Sequence, residues 1–134
     1  MTGNFVKFFK VALLTSCTVL IGYLSLVDDS VDDPPPVPDL NSYGIQHLDK
    51  LAHFAAYGIL ICSALWLFSS KKAAILSCLA IAVYSLLLEL AQTLVPLREP
   101  SINDFLANIT GIVFGVLLMR TTNRLIKNSQ LDDV

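Results

Sequence analysis

The stretch AAILSCLAIAVYSLLLELAQTLV, residues 73–95, decides the fold, because it holds a single charged side chain, Glu89. The hydrocarbon core of a bilayer is about 30 Å thick, and crossing it takes roughly 20 apolar helical residues. Three further apolar segments accompany this one, and the whole chain is 54% hydrophobic and only 15% charged. The sequence therefore predicts an all-α, polytopic membrane protein with four transmembrane helices in a small bundle, at residues 6–27, 51–68, 73–95 and 102–119.

The connections between these segments predict a single domain over residues 1–134 and its orientation. Residues 28–49 form an acidic, Pro-rich loop, in which consecutive prolines exclude a fifth helix. Basic residues are enriched in the cytoplasmic loops of membrane proteins. Both termini are therefore predicted to be cytoplasmic, because seven of the nine Lys and Arg residues belong to the N-terminus, the 71–72 turn and the C-terminus: Lys7, Lys10, Lys71, Lys72, Arg120, Arg124 and Lys127.

The three cysteines all lie inside apolar segments, at Cys17, Cys62 and Cys78. Their odd number and wide spacing argue against a disulfide framework or a zinc cluster. The residues Leu14 to Cys17 resemble the site at which bacterial lipoproteins are cleaved and acylated. We favour an uncleaved first helix, because the apolar segment continues to Val27, whereas a cleaved signal ends near its cleavage site.

Ionisable side chains in three of the predicted helices gather near one end of the bundle. With a helical rise of about 1.5 Å per residue, His53 and Asp104 lie about 6 and 5 Å inside the outer boundary, and Glu89 about 10 Å. Ionisable groups at such depths are costly and usually face the bundle interior or a cavity. These three residues are therefore predicted to share one polar site, with Gln92 and Asn108 at its edge.

The helical spacing of the polar residues supports the shared site, since each predicted helix carries them on one face. A GxxxG motif at Gly111 and Gly115 allows another helix to approach closely and places Asp104 and Asn108 on the packed side of the last helix. The neutral amides of Gln92 and Asn108 have an alternative, purely structural role, in which their hydrogen bonds only hold the helices together. The three stripes are Asp49, His53 and Tyr57; Ser85, Glu89 and Gln92; and Asp104, Asn108, Gly111 and Gly115.

Two blocks of sequence, DKLAHFAAY at 49–57 and ELAQTLVPLREPSINDFLANITG at 89–111, resemble the VanZ-like family of small bacterial membrane proteins. The resemblance implies a multi-pass protein of the bacterial cytoplasmic (inner) membrane. The founding member of the family is associated with lowered susceptibility to teicoplanin, so an antibiotic-resistance role is implied only as an expectation. The residues matched to the family are Asp49, Lys50, His53, Tyr57, Glu89, Gln92, Pro96, Arg98, Ser101, Asp104 and Asn108.

The first functional hypothesis is a binding module for an anionic cell-envelope lipid or a lipid-linked intermediate. Lys50 and Arg98 would hold a phosphate at the outer face, because Arg in particular presents a fork that matches phosphate oxygens. The buried carboxylates and amides would contact hydroxyl groups below it. The candidate ligand-binding residues are Asp49, Lys50, Tyr57, Gln92, Arg98, Ser101 and Asn108.

The alternative hypothesis is an intramembrane hydrolase or transferase. His53 beside Glu89 or Asp104 would form a general-base pair. Alternatively, these residues would bind a divalent metal ion as a cofactor. A proton-linked or purely structural subunit is the third class. Membrane lipids are the expected partners, and nucleic acid is not, because the chain has no basic stretch interleaved with aromatic residues.

Overall fold

The computed structural model describes residues 2–27, 47–96, 98 and 100–132, and the described residues are helical with no strand. The helices are α1 (Thr2–Leu26), α2 (Leu48–Leu67), α3 (Lys71–Gln92) and α4 (Ile102–Asp132). All four are long and apolar enough to cross a membrane. The predicted all-α fold with four spans is therefore confirmed. Most of the predicted acidic, Pro-rich loop lies outside the described residues.

Compared with the predicted spans, α1 and α2 begin a few residues earlier, at Thr2 and Leu48, and α3 and α4 end at different residues. α3 ends at Gln92 rather than Val95, because the chain enters hydrogen-bonded turns in which Leu94 and Val95 donate to Ala91 and Gln92. α4 does not end at Met119 but continues to Asp132, so its 31 residues extend about 46 Å at the usual helical rise. This length exceeds the hydrocarbon core by roughly half.

Serine residues define where α3 and α4 begin. Ser70 precedes α3 in an extended conformation, and its side chain accepts the N–H of Ala73 at 3.1 Å. Ser101 precedes α4, and its Oγ accepts the N–H of Asp104 at 3.4 Å. Such caps satisfy N–H groups that have no partner within the helix. The start of α4 is thereby fixed beside Glu89, which accepts the N–H of Ser101.

α2 and α4 form the most extensive helix pair, and glycine residues make this contact close. A Cβ atom added to Gly111 would collide with the carbonyl of Phe54, and one added to Gly115 would lie 2.8 Å from the carbonyl of Gly58. Both glycines of the GxxxG motif thus face α2 of the same chain. The pairing of residue 53 with 108, and of 58 with 111 and 115, shows that α2 and α4 run parallel.

α1 packs against α2 and α3. The hydroxyl of Tyr84 on α3 donates to the carbonyl of Thr18 at 2.7 Å. The helix passes through Cys17 without a break, and Cys17 packs against the buried core. That core lies mid-bundle between the helices and consists of Tyr57, Leu60, Ile61, Ala64, Ile81 and Ile112.

Candidate functional site

Asn108 is the centre of a polar network at one end of the bundle, where α2 and α4 begin and α3 ends. Its side chain is 1% exposed. Its Oδ1 lies 3.0 Å from Nδ1 of His53, and its Nδ2 donates to Oγ of Ser85 at 2.9 Å. Because an amide oxygen can only accept, Nδ1 of His53 donates in this contact. We call this the site end of the bundle, and the other end, where most Lys and Arg residues lie, the basic end.

Glu89 connects α3 to the start of α4. Its side chain is 7% exposed. One carboxyl oxygen, Oε2, accepts the backbone N–H of Ser101 at 3.1 Å, and the other, Oε1, lies 3.5 Å from Nδ2 of Asn108. A buried carboxyl group requires such donors to compensate for lost hydration. Each carboxyl oxygen of Glu89 therefore has a hydrogen-bond partner in the network.

An ion pair lies above the network, closer to the surface of the site end. Nζ of Lys50 is 2.7 Å from Oδ1 of Asp104 and also pairs with the adjacent Asp49. The side chains of Lys50 and Asp49 are 29% and 28% exposed, and that of Asp104 is 17% exposed. The ion pair joins α2 to α4 at the point where the polar network reaches the surface.

The three candidate catalytic residues thus lie in one region, but they are connected indirectly. The His53 ring reaches Glu89 through Asn108, whereas Asp104 is linked to Glu89 only by its backbone N–H, through Ser101. Glu89 also lies within electrostatic range of Asp104, His53 and Lys50. The expectation that Asn108 lies at the edge of the cluster was wrong, because this residue is at its centre.

Two further residues complete the buried part of the network. Ser85 is fully buried, and its side chain interacts with the hydroxyl of the buried Tyr57 as well as with Asn108. Tyr57 was a candidate ligand-binding residue, but it lies beneath the network with 2% of its surface exposed. Ser85 belonged to the predicted polar stripe but was not among the candidate catalytic or ligand-binding residues. Its position one helical turn before Glu89 is the signal that could have identified it.

Gln92 and Arg98 face α1 rather than the centre of the network. Nε2 of Gln92 donates to the carbonyl of Ser25 at 3.2 Å, and Nη2 of Arg98 donates to the carbonyl of Leu24 at 3.3 Å. These carbonyls lie in the last turn of α1, where carbonyl groups have no partner within the helix. Gln92 and Arg98 therefore fasten the end of α1 to the site end of the bundle.

The donor set does not form a metal site. Among the described residues, no group of three or more His, Cys, Asp or Glu side chains is placed to hold a metal ion. Nδ1 of His53 is hydrogen-bonded to the amide oxygen of Asn108, and Oδ1 of Asp104 is paired with Lys50. What the arrangement offers chemically is a set of hydrogen-bond donors and acceptors beside a partly exposed ion pair.

Comparison with known proteins identifies one family. A family model described as VanZ/LLP1 matches residues 3–126, which is most of the chain. This match includes α1 and the 28–49 segment, which lie outside the two motif blocks. Comparison with curated proteins and with solved structures gives no significant match.

Proposed function

The chain belongs to the VanZ/LLP1 family, and we propose that it binds the headgroup of an anionic cell-envelope lipid or lipid-linked intermediate at the site end. The observation that carries the proposal is the continuous polar network of His53, Asn108, Glu89 and Ser101. Polar groups within spanning helices are costly and generally mark sites that act on a ligand, an ion or a proton. This network concentrates them in one place and leads to the surface at Lys50.

The exposed part of the site suits a headgroup that carries both a phosphate and hydroxyl groups. Lys50 has three N–H donors, and two of them are directed to Asp49 and Asp104, which leaves one for a phosphate oxygen. The half-buried ring of His53 has a second nitrogen that does not contact Asn108. The carboxylate of Asp104 accepts hydrogen bonds, so it would contact hydroxyl groups of a glycosylated headgroup.

The charge distribution limits this proposal to a headgroup with hydroxyl groups rather than a bare anion. The Lys50 ammonium is paired with two carboxylates, so the mouth of the site has no strong positive charge of its own. A ligand is then selected by directional hydrogen bonds to several groups, because their geometry discriminates better than charge alone. A lipid-linked sugar intermediate satisfies this requirement.

The positive-inside rule predicts that the site end faces outward, and the family resemblance implies that the membrane is the cytoplasmic membrane of a bacterium. Lipid-linked precursors displayed at that face are the ligand class that the proposal selects. A role in teicoplanin susceptibility is a further part of the proposal and rests on the family resemblance alone. Deleting the chain in its host and measuring teicoplanin susceptibility tests that part separately.

Native mass spectrometry of gently extracted protein tests the proposed binding. We expect a co-purifying lipid-linked sugar intermediate on the wild-type protein and its loss in Lys50→Gln, because this change removes the Lys50 ammonium that would contact the phosphate. Lys72→Gln, which removes an exposed cation at the opposite end, is the matched control and should retain the lipid. Equal lipid occupancy in the two variants, or none in the wild type, contradicts the proposal.

A further inference from the structure

A second feature of the molecule is an apolar slot that shares no residue with the polar network. It lies along α2 and α4 and reaches α1 at Leu13, and its volume is about 610 Å³. This volume is within the range of about 300–1,000 Å³ that is usual for small-ligand sites. Its walls are open to the outside of the bundle, since Ile59 is 57% exposed and Phe114 is 51% exposed. In a bilayer the slot faces the lipid.

The close approach of α2 and α4 gives the slot its shape. Gly58 and Gly115, which have no side chains, line it, whereas the ring pair of Phe54 and Phe114 borders it toward the site end. Trp66 borders it toward the basic end. From Phe54 to Trp66 the helical rise amounts to about 18 Å. One leaflet of the hydrocarbon core is about 15 Å thick, so the slot has the length of one acyl chain in one leaflet.

The basic end of the slot carries a positioned cation. Nζ of Lys10 lies 4.9 Å from the centre of the Trp66 ring and donates to the Trp66 carbonyl at 2.9 Å. The ring of Phe9 packs edge-on against the Trp66 ring, with 6.1 Å between the two ring centres. A lysine ammonium has three N–H donors, so two remain for another acceptor. Lys10 also lies one helical turn from Leu13, which puts the cation on the α1 face that lines the slot.

A second copy of the chain fits this slot less well than a lipid. Copies of a membrane protein share one orientation, so a symmetric dimer through this face would bring residues of equal depth together. Lys10 would then approach Lys10 of the other copy, near the further cations of the basic end, and like charges repel. An anionic lipid has the opposite effect, since its phosphate lies at the depth of the cation.

We propose that the slot holds one acyl chain of an anionic phospholipid, whose phosphate is bound by Lys10. The site is independent of the proposed headgroup site, because it lies toward the basic end and uses different residues. A single lysine near an anionic headgroup contributes about 1 kcal/mol, which corresponds to roughly a fivefold preference for an anionic over a zwitterionic lipid.

The single tryptophan of the chain makes a direct test available. Because Trp66 lines the slot, its fluorescence reports on whichever acyl chain occupies it. The full chain is reconstituted in phosphatidylcholine vesicles that contain equal fractions of either dibrominated phosphatidylglycerol or dibrominated phosphatidylcholine, whose bromine atoms quench tryptophan on contact. We expect a given fraction of dibrominated phosphatidylglycerol to quench Trp66 as strongly as about five times that fraction of dibrominated phosphatidylcholine.

Two charge variants separate the slot from general surface charge. Lys10→Gln should abolish the preference for phosphatidylglycerol, whereas Lys72→Gln, at an exposed position on α3, should keep it. Each variant is normalised to its own fluorescence in unbrominated lipid, because losing the cation changes the ring's environment. The proposal is overturned by equal quenching from both lipids in the wild type or by equal loss in both variants. Protection of Trp66 from both lipids would instead identify a second protein copy and also overturn it.

Discussion

At the scale of single residues, Asn108 organises the candidate site. It contacts His53 on α2 and both Ser85 and Glu89 on α3. The depth and face of these residues could be predicted from the sequence, because helical rise and periodicity fix both. The central position of Asn108 could not, because it depends on how far α4 is rotated about its axis against α2, and close packing at Gly111 sets that rotation.

We predict that Asn108→Leu destabilises the bundle by about 1–3 kcal/mol, because it removes the hydrogen-bond partner that His53, Ser85 and Glu89 share. The measurement is the free energy of unfolding in detergent, followed by circular dichroism. Asn103→Leu is the matched control, since it makes the same substitution at an exposed position of the same helix. Equal stability of the two variants would show that the network does not depend on Asn108.

At the scale of helices, the parallel pair of α2 and α4 positions the site. The GxxxG motif predicted a close approach on the correct face of α4, but it did not indicate which helix would approach. α4 extends beyond the predicted span for a different reason. The boundary at Met119 followed hydropathy, which reports membrane depth rather than helix formation. No Gly or Pro follows Gly115, so nothing in the sequence ends the helix where the apolar segment ends.

Gly111→Ala is predicted to destabilise the protein by about 1–3 kcal/mol, as is usual for overpacked contacts. The added methyl group would meet the rigid carbonyl of Phe54 and push α2 away from α4. Gly58→Ala is a control on the same contact, because its Cβ would find the nearest atom at an ordinary 3.5 Å. The thermal unfolding midpoint of each variant is the measurement. A midpoint for Gly111→Ala that equals that of Gly58→Ala would contradict the close approach.

At the scale of the whole molecule, the two ends of the bundle differ in chemistry. The site end collects the buried polar network, and the basic end carries seven of the nine Lys and Arg residues. The sequence predicted this segregation because it follows directly from the order of apolar and charged segments. It could not predict the apolar slot, which arises only when Gly58 and Gly115 meet across two helices distant in sequence.

The predicted orientation can be measured by cysteine labelling of intact cells. In a background without the three natural cysteines, a cysteine at position 42 should react with an impermeant reagent from outside, because the 28–49 loop is predicted to be external. A cysteine at position 129, at the exposed end of α4, should react only after permeabilisation. Labelling of position 129 from outside would contradict the predicted topology.

The central claim is that the network around Glu89 serves binding rather than only holding the helices together. Glu89→Gln tests it most directly, since the change keeps the volume and removes the charge and one of the two acceptors used by Ser101 and Asn108. The measurement is complementation of a deletion strain at matched membrane levels, with the unfolding midpoint recorded in parallel. We predict loss of complementation with a midpoint close to that of the wild type. Full complementation by the Gln variant would contradict the claim.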